Sequence, residues 1–144
     1  MKLNKSNSDL RICVDSIAYG QISGRVYGQR LEKPLVFADI GDMLLQIDNV
    51  LNDQDYPRAF QRKRSFGTEQ KASAPLPVEL SGNFMSKEIV EANHGEIATY
   101  SVSIITRQNT SWQGIINWLD GNPSRSFRSA LEFIHIINEA IKKD

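Results

Sequence analysis

Residues 107–141 read RQNTSWQGIINWLDGNPSRSFRSALEFIHIINEAI, and the fold is decided by how this stretch is parsed. It parses as the end of one strand, a tight turn at Asn109 and Thr110, a second strand, a capped connection and a long apolar helix. Phe127, Ala130, Leu131, Ile134, Ile137 and Ile141 make one apolar stripe on that helix, and Phe133, Ile136 and Ala140 widen it. A one-sided surface helix needs only the first stripe. The extra width predicts burial on two sides, against the middle of the chain or a second subunit. Ser126 is the expected N-cap, and Lys142 and Lys143 suit the negative end of the helix dipole.

Working outward, the first third of the chain follows the same plan. Leu10, Ile12 and Val14 against Cys13 and Ile17 give an imperfect alternation that predicts a strand over 10–19. Gly20-Gln21 turns the chain into a returning strand over 22–27. A helix fits 38–52, with Ile40, Met43, Leu44, Ile47 and Leu51 at spacings of three and four, and with Asp39 and Asp42 at its positive end. A shift of ninety positions, Gly24 onto Gly114, lays this segment on the C-terminal part without a gap. Internal similarity of this kind predicts two supersecondary units sharing one core. The expected class is α+β: two strand–strand–helix repeats with a pseudo-two-fold, forming an antiparallel sheet covered by two helices.

The expected organisation is a single domain over 1–144, with repeat one at about 10–52, a connection at about 53–95 and repeat two at about 96–142. Residues 1–9 are polar and expected to fray. Within the connection, 76–80 suits a short edge strand, 84–92 has weak helical spacing, and a strand begins at Glu96.

The 144 residues carry 17 basic and 17 acidic side chains, so net charge steers the chain toward neither nucleic acid nor anionic membrane. Cys13 is the one cysteine, which excludes an internal disulfide and, with two histidines, a thiolate zinc site. It reads as a buried, inert thiol. The polar N-terminus lacks a signal-peptide core and no apolar run spans a bilayer, so the expected compartment is the cytoplasm.

Two groups of residues carry candidate chemistry. The first is the hairpin, with Arg107, Gln108, Asn109, Ser111, Trp112, Gln113 and Trp118. Trp and Arg are enriched where proteins hold partners, although the same tryptophans would also cover a core, with Arg107, Gln108 and Gln113 as solvated neighbours. The second is the basic run RAFQRKR, where Arg58, Arg62, Lys63 and Arg64 suit phosphate and Phe60 and Phe66 offer stacking platforms. Its bland counterpart is a solvated face paired with Asp39, Asp42, Asp48, Asp53 and Asp55.

The string Arg107-Gln108-Asn109, Ser111-Trp112-Gln113-Gly114, Trp118 and FRSALE from Phe127 to Glu132 resembles a set of small, uncharacterised bacterial proteins of clostridial type. The resemblance covers the last third of the chain and implies no activity. Arg58-Ala-Phe-Gln-Arg62 with Asn109-Thr-Ser111-Trp-Gln-Gly114 also resembles, at altered spacing, the motifs of cyclic-di-GMP receptors of the PilZ class. That resemblance implies guanidiniums clamping a cyclic dinucleotide.

No HxxxH, HExxH, glycine-rich phosphate loop or GxSxG elbow is present, and His94 and His135 are far apart. The expectation is therefore a non-enzymatic interaction or regulatory module without cofactor or metal. It would bind a protein partner as a homodimer through the C-terminal helix. The alternative is nucleic-acid or nucleotide binding through 58–64.

Overall fold

A computed structural model describes residues 2–60, 78–80, 82–108, 111–119 and 123–142. In chain order they form β1 (Lys2–Leu3), β2 (Leu10–Ala18), β3 (Gln21–Gly28), β4 (Leu35–Phe37) and α1 (Ile40–Gln54). There follow β5 (Ala59–Phe60), β6 (Val78–Glu79), α2 (Lys87–Ala92), β7 (Ala98–Gln108), β8 (Gln113–Trp118), β9 (Arg125–Phe127) and α3 (Ala130–Lys142). Six strands make an antiparallel sheet in the order β4-β3-β2-β7-β8-β9, and β5 lies parallel against the end of β7. The class is mixed α+β. Among the described residues no helix is long and apolar enough to cross a membrane.

Alternation along the strands sends one set of side chains to a common core. Leu10, Ile12 and Val14 of β2 join Val26, Tyr100, Val102, Ile104 and Ile116 there. Helix α1 adds Met43, Ile47 and Leu51, and α3 adds Phe133, Ile136 and Ile137. Phe133 packs edge-on against Trp112 and tilted against Phe127, with ring centroids 6.1 and 5.1 Å apart. Phe133 and Ile136, expected to widen the α3 stripe, are both buried within the chain, while Leu131 of the expected stripe is 64% exposed. The helix thus turns its widened edge to the core. That removes the motive for a dimer through this helix.

Each hairpin continues into a third strand, β4 or β9, where the sequence predicts only a connection. Adding ninety to the β2–β3 pairs from Leu10 opposite Gly28 to Ser16 opposite Ser23 gives the β7–β8 ladder: Ile12 opposite Val26 becomes Val102 opposite Ile116. The bulge between Val14 and Ser16 becomes the bulge between Ile104 and Thr106. Gly24 opposite Phe37 becomes Gly114 opposite Phe127. At both glycines a Cβ would overlap a carbonyl of the neighbouring strand, Cys13 O or Ser103 O, so neither position tolerates a side chain unmoved. The halves meet along β2 and β7, where Arg11 lies opposite Ser101.

The caps fall at matching places. Asp39 Oδ1 accepts from Asp42 N at 2.8 Å, and Ser129 Oγ accepts from Glu132 N at 3.1 Å. The cap of the last helix is therefore Ser129, not Ser126, which sits exposed in β9. Ser126 instead pairs with Ile115 as part of β9, and α3 begins only after Ser129. The first hairpin turns at Tyr19 and Gly20, both with positive φ (54° and 76°), one residue earlier than expected.

The N-terminal arm is tied down rather than frayed. Lys2 and Leu3 pair with Glu79 and Val78, and Leu3 is fully buried. Of the strand expected over 76–80, positions 78 and 79 form β6, which pairs with β1 rather than with the main sheet, while 76 and 77 lie outside the described residues. Helix α2 falls within the weak helical stretch, capped by Ser86.

Candidate functional site

The hairpin singled out from sequence is largely built into the fold. Arg107 is 4% exposed, and its guanidinium enters the C-terminal end of α1. There it donates to Leu51 O at 3.2 Å, to Asn52 Oδ1 at 2.6 Å and to Pro57 O, with Asp55 at 3.9 Å. Leu51 O also accepts from the Asp55 and Tyr56 amides, so the guanidinium adds a charged donor to the capped, negative end of the helix. Arg107 is therefore no solvated neighbour. Burial pulls its pKa down, and the Asp48 and Asp55 carboxylates oppose that.

Trp112 is buried against Phe133 and donates Nε1–H to Asp48 Oδ1 at 3.2 Å, joining α1 to α3. Trp118 is half-buried, edge-on to Tyr100 at 5.0 Å. Ser111 Oγ accepts from Ala130 N at 2.9 Å, at the start of α3. Gln113 Oε1 accepts from Thr106 Oγ1 and Gln108 N, and its Nε2 donates to Gln108 O and Arg128 O. Gln108 is exposed. Asn109 lies outside the described residues.

A second buried guanidinium accompanies Arg107. Arg30, 1% exposed, donates to Gln54 Oε1 at 2.8 Å, Ser8 O at 3.4 Å and Tyr56 O, and Gln54 Nε2 returns a bond to Arg30 O. Burial, then the nearby Arg107 charge, brings its pKa down to about 10, so it stays protonated near neutrality. Sequence reasoning missed Arg30, whose partners are backbone and amide oxygens that no local motif announces.

Of the basic run, Arg58 is exposed and sits 3.7 Å from Asp55. Such a surface pair contributes about 0–1 kcal/mol. Arg62, Lys63 and Arg64 lie outside the described residues. Ser111 and Gly114, from the motif resembling cyclic-di-GMP receptors, are engaged with Ala130 N and packed on Ser103 O respectively.

The sheet face turned away from α1 and α3 is where surface chemistry collects. Over β2 and β3 it is covered by α2: Val90 packs on the core, Met85 is buried, and Cys13 and Tyr27 lie beneath. Two arginines of the sheet hold the exit of α2, Arg11 Nε to Asn93 O at 2.8 Å and Arg25 Nη2 to His94 O at 3.0 Å. Arg25 also pairs with Asp15 at 2.8 Å, and Asp15 accepts from Glu96 N. The hydrogen bond from Arg25 holds the Asp15 carboxyl below its ordinary range. Cys13 is buried, and burial pushes its thiol pKa up, which makes it a poor nucleophile.

Over β7 and β8 no helix among the described residues covers the same face. Ile105 at the bulge, Ile115 and Leu119 are 38, 39 and 45% exposed, among Ser101, Ser103 and Asn117. The signal was present in sequence, since Ile115, Asn117 and Leu119 alternate against the core-facing Ile116 and Trp118. Between α2, the N-terminal arm and β8 runs an open cleft of about 230 Å³, with Asp9, Arg11, Ser101 and Asn117 in its lining. Burial raises the pKa of Asp9, and its hydrogen bond from Ser103 Oγ at 2.7 Å acts against that. Among the described residues no group of three or more His, Cys, Asp or Glu is placed to hold a metal ion. Comparison of the chain with family models, with curated proteins and with solved structures gives no match.

Proposed function

We propose that the chain is two copies of one unit related by an internal two-fold, and that it works as a non-enzymatic interaction module. The protein partner would dock on the outer face of β7 and β8. The repeat is supported by ladders, bulges, glycines and caps that correspond at a spacing of ninety residues. The docking surface is carried by one observation. Asp15 and Arg25, an ion pair beside α2 in the first unit, correspond to Ile105 and Ile115 in the second, and there both are exposed.

The expected partner surface is apolar and uncharged, because the neighbours of the two isoleucines are hydroxyl and amide groups rather than charges. Contiguous exposed apolar groups with a polar rim mark interaction sites. A photo-crosslinking amino acid at position 115 of the full chain, irradiated in cells, should give a discrete protein adduct. The same probe at Leu45, exposed on α1, should not. Ile105→Asp should abolish the adduct while leaving the melting temperature in place. An adduct of twice the chain mass, with a dimer in sedimentation, would identify a second copy as the occupant. Equal labelling at 115 and 45, or none at either, sinks the reading. Salt-dependent nucleic-acid binding by a chain giving no adduct would favour the basic run instead.

A further inference from the structure

The cleft beside α2 offers a different chemistry from the isoleucine patch. Arg11 lies opposite Ser101 and Ser101 opposite Asn117, so these three side chains form a row across β2, β7 and β8 on the outer face. Asp9, one step along, completes the charged part of the lining, and Lys87 and Val90 of α2 form a wall. At the rim Lys87 and Glu91 sit 3.9 Å apart and are well exposed, so they largely neutralise one another in solvent.

The two inner charges are not spent on each other. Asp9 Oδ1 is engaged by Ser103, and Oδ2 makes no further bond among the described residues. Arg11 donates through Nε to Asn93 O, and its two Nη groups make no further bond among the described residues. Though two positions apart and lining one cleft, Asp9 and Arg11 do not come within the 4.0 Å of an ion pair. A simple anion drawn to Arg11 would meet Asp9, and a simple cation drawn to Asp9 would meet Arg11. A molecule carrying both charges a few bonds apart meets neither repulsion.

We propose that this cleft binds a small zwitterion of the α-amino-acid class, with its carboxylate on the Arg11 guanidinium and its ammonium on Asp9. Ser101 and Asn117 supply neutral hydrogen-bonding partners beneath it, and Val90 and Leu119 give its side chain an apolar margin. The volume, about 230 Å³, lies below the roughly 300–1,000 Å³ of pockets for drug-sized ligands and suits a single amino acid. Partial burial of Asp9 makes its attraction for an ammonium stronger than at an open surface. The site does not depend on the docking surface at Ile105 and Ile115, and the two can fail separately.

The test is titration of the ¹⁵N-labelled full chain with each proteinogenic L-amino acid at up to about 10 mM, where a millimolar site is nearly saturated. At least one should give saturable shifts at the Ser101 and Asn117 amides. The N-acetyl and the C-amide derivatives of that amino acid should each bind about tenfold more weakly or worse, a loss of about 1.4 kcal/mol. Asp9→Asn and Arg11→Gln should weaken binding to a similar degree. Ser101→Leu, which obstructs the floor without touching either charge, should abolish it in a chain whose spectrum otherwise stays dispersed. No saturable shift with any amino acid overturns the proposal, as does unchanged affinity for the acetylated form.

Discussion

The two hairpin–helix halves share ladder register, bulge position and helix start, yet they treat their outer faces in opposite ways. In the first half an ion pair, Asp15 with Arg25, lies beside a covering helix whose exit is gripped by Arg11 and Arg25. In the second half the corresponding positions are Ile105, Ile115 and Ser101, and nothing among the described residues covers the isoleucines. The inner faces, by contrast, pack alike, Phe37 against Gly24 and Phe127 against Gly114. The core-facing pattern is what the fold requires, while the outward pattern is free to differ and so carries whatever distinguishes the halves.

Truncating the inner aromatics should have the largest effect. Phe37→Ala and Phe127→Ala, both buried, should each cost about 3–5 kcal/mol in chemical denaturation. A cost below about 1 kcal/mol for only one of them would break the correspondence of the cores. Next comes the hairpin end, where Arg107 corresponds to Ile17. Arg107→Ala removes the donor from Leu51 O and Pro57 O and should cost about 2–3 kcal/mol. Ile17→Ala, at a 43% exposed site, should cost under about 1 kcal/mol.

The caps come third. Asp39→Ala and Ser129→Ala should each lower stability by about 1 kcal/mol, and Ser126→Ala should be nearly silent. The fourth effect is read by its sign with pH. Asp15 has a depressed folded pKa, so its contribution is present above the unfolded carboxylate value and fades as pH falls through the folded one. Asp15→Asn should therefore destabilise at neutral pH and converge with the parent in acid. Asp9, whose folded pKa is raised, carries a penalty at neutral pH that disappears below the unfolded value. Asp9→Asn, still able to accept from Ser103, should be the more stable chain at neutral pH and lose that advantage in acid. The smallest effect on stability should come from grafting the first half onto the second. Ile105→Asp with Ile115→Arg should change stability by no more than about 0.5 kcal/mol, while erasing the adduct formed by the same crosslinking residue moved to position 119.

Much of the fold was legible wherever a period runs long enough to count. The stripe Ile40, Met43, Leu44, Ile47 and Leu51 placed α1 to within two residues, and the strand expected from Glu96 starts two residues later, at Ala98. The three-residue strands β4 and β9 were not legible, because LVF and RSF are too short to show alternation and become strands only by pairing with β3 and β8. The cap was misplaced because SFRSALE offers two serines, though only Ser129 stands three before Glu132 in the capping-box pattern. Burial of Arg107 could not be read, since its partners are backbone and amide oxygens some fifty residues away. Tyr19 was passed over as a strand residue, yet it is fully exposed at a left-handed turn position where Asn or Gly is usual. Of the candidate site, the isoleucines were visible as letters, but their exposure depends on where α2 settles, which no local pattern dictates.

The seam between β2 and β7 has a consequence for how the chain reaches its native state. Each hairpin closes locally, β2 onto β3 through the Tyr19–Gly20 turn, whereas the seam joins Leu10 to Val102 and Val14 to Ala98 across most of the sequence. Loop-closure entropy adds about 0.6 kcal/mol per doubling of loop length, so the seam carries roughly 3 kcal/mol more than the hairpin turn. The halves are therefore expected to gain structure separately and to dock late, with the seam setting the folding rate. Ala98→Gly, on the seam but beyond the β7–β8 ladder, should then speed unfolding more than it slows folding, while Val26→Ala, inside one hairpin, should divide its effect toward the folding limb. A sheet continuous in the finished molecule would in this way keep a kinetic memory of its two halves.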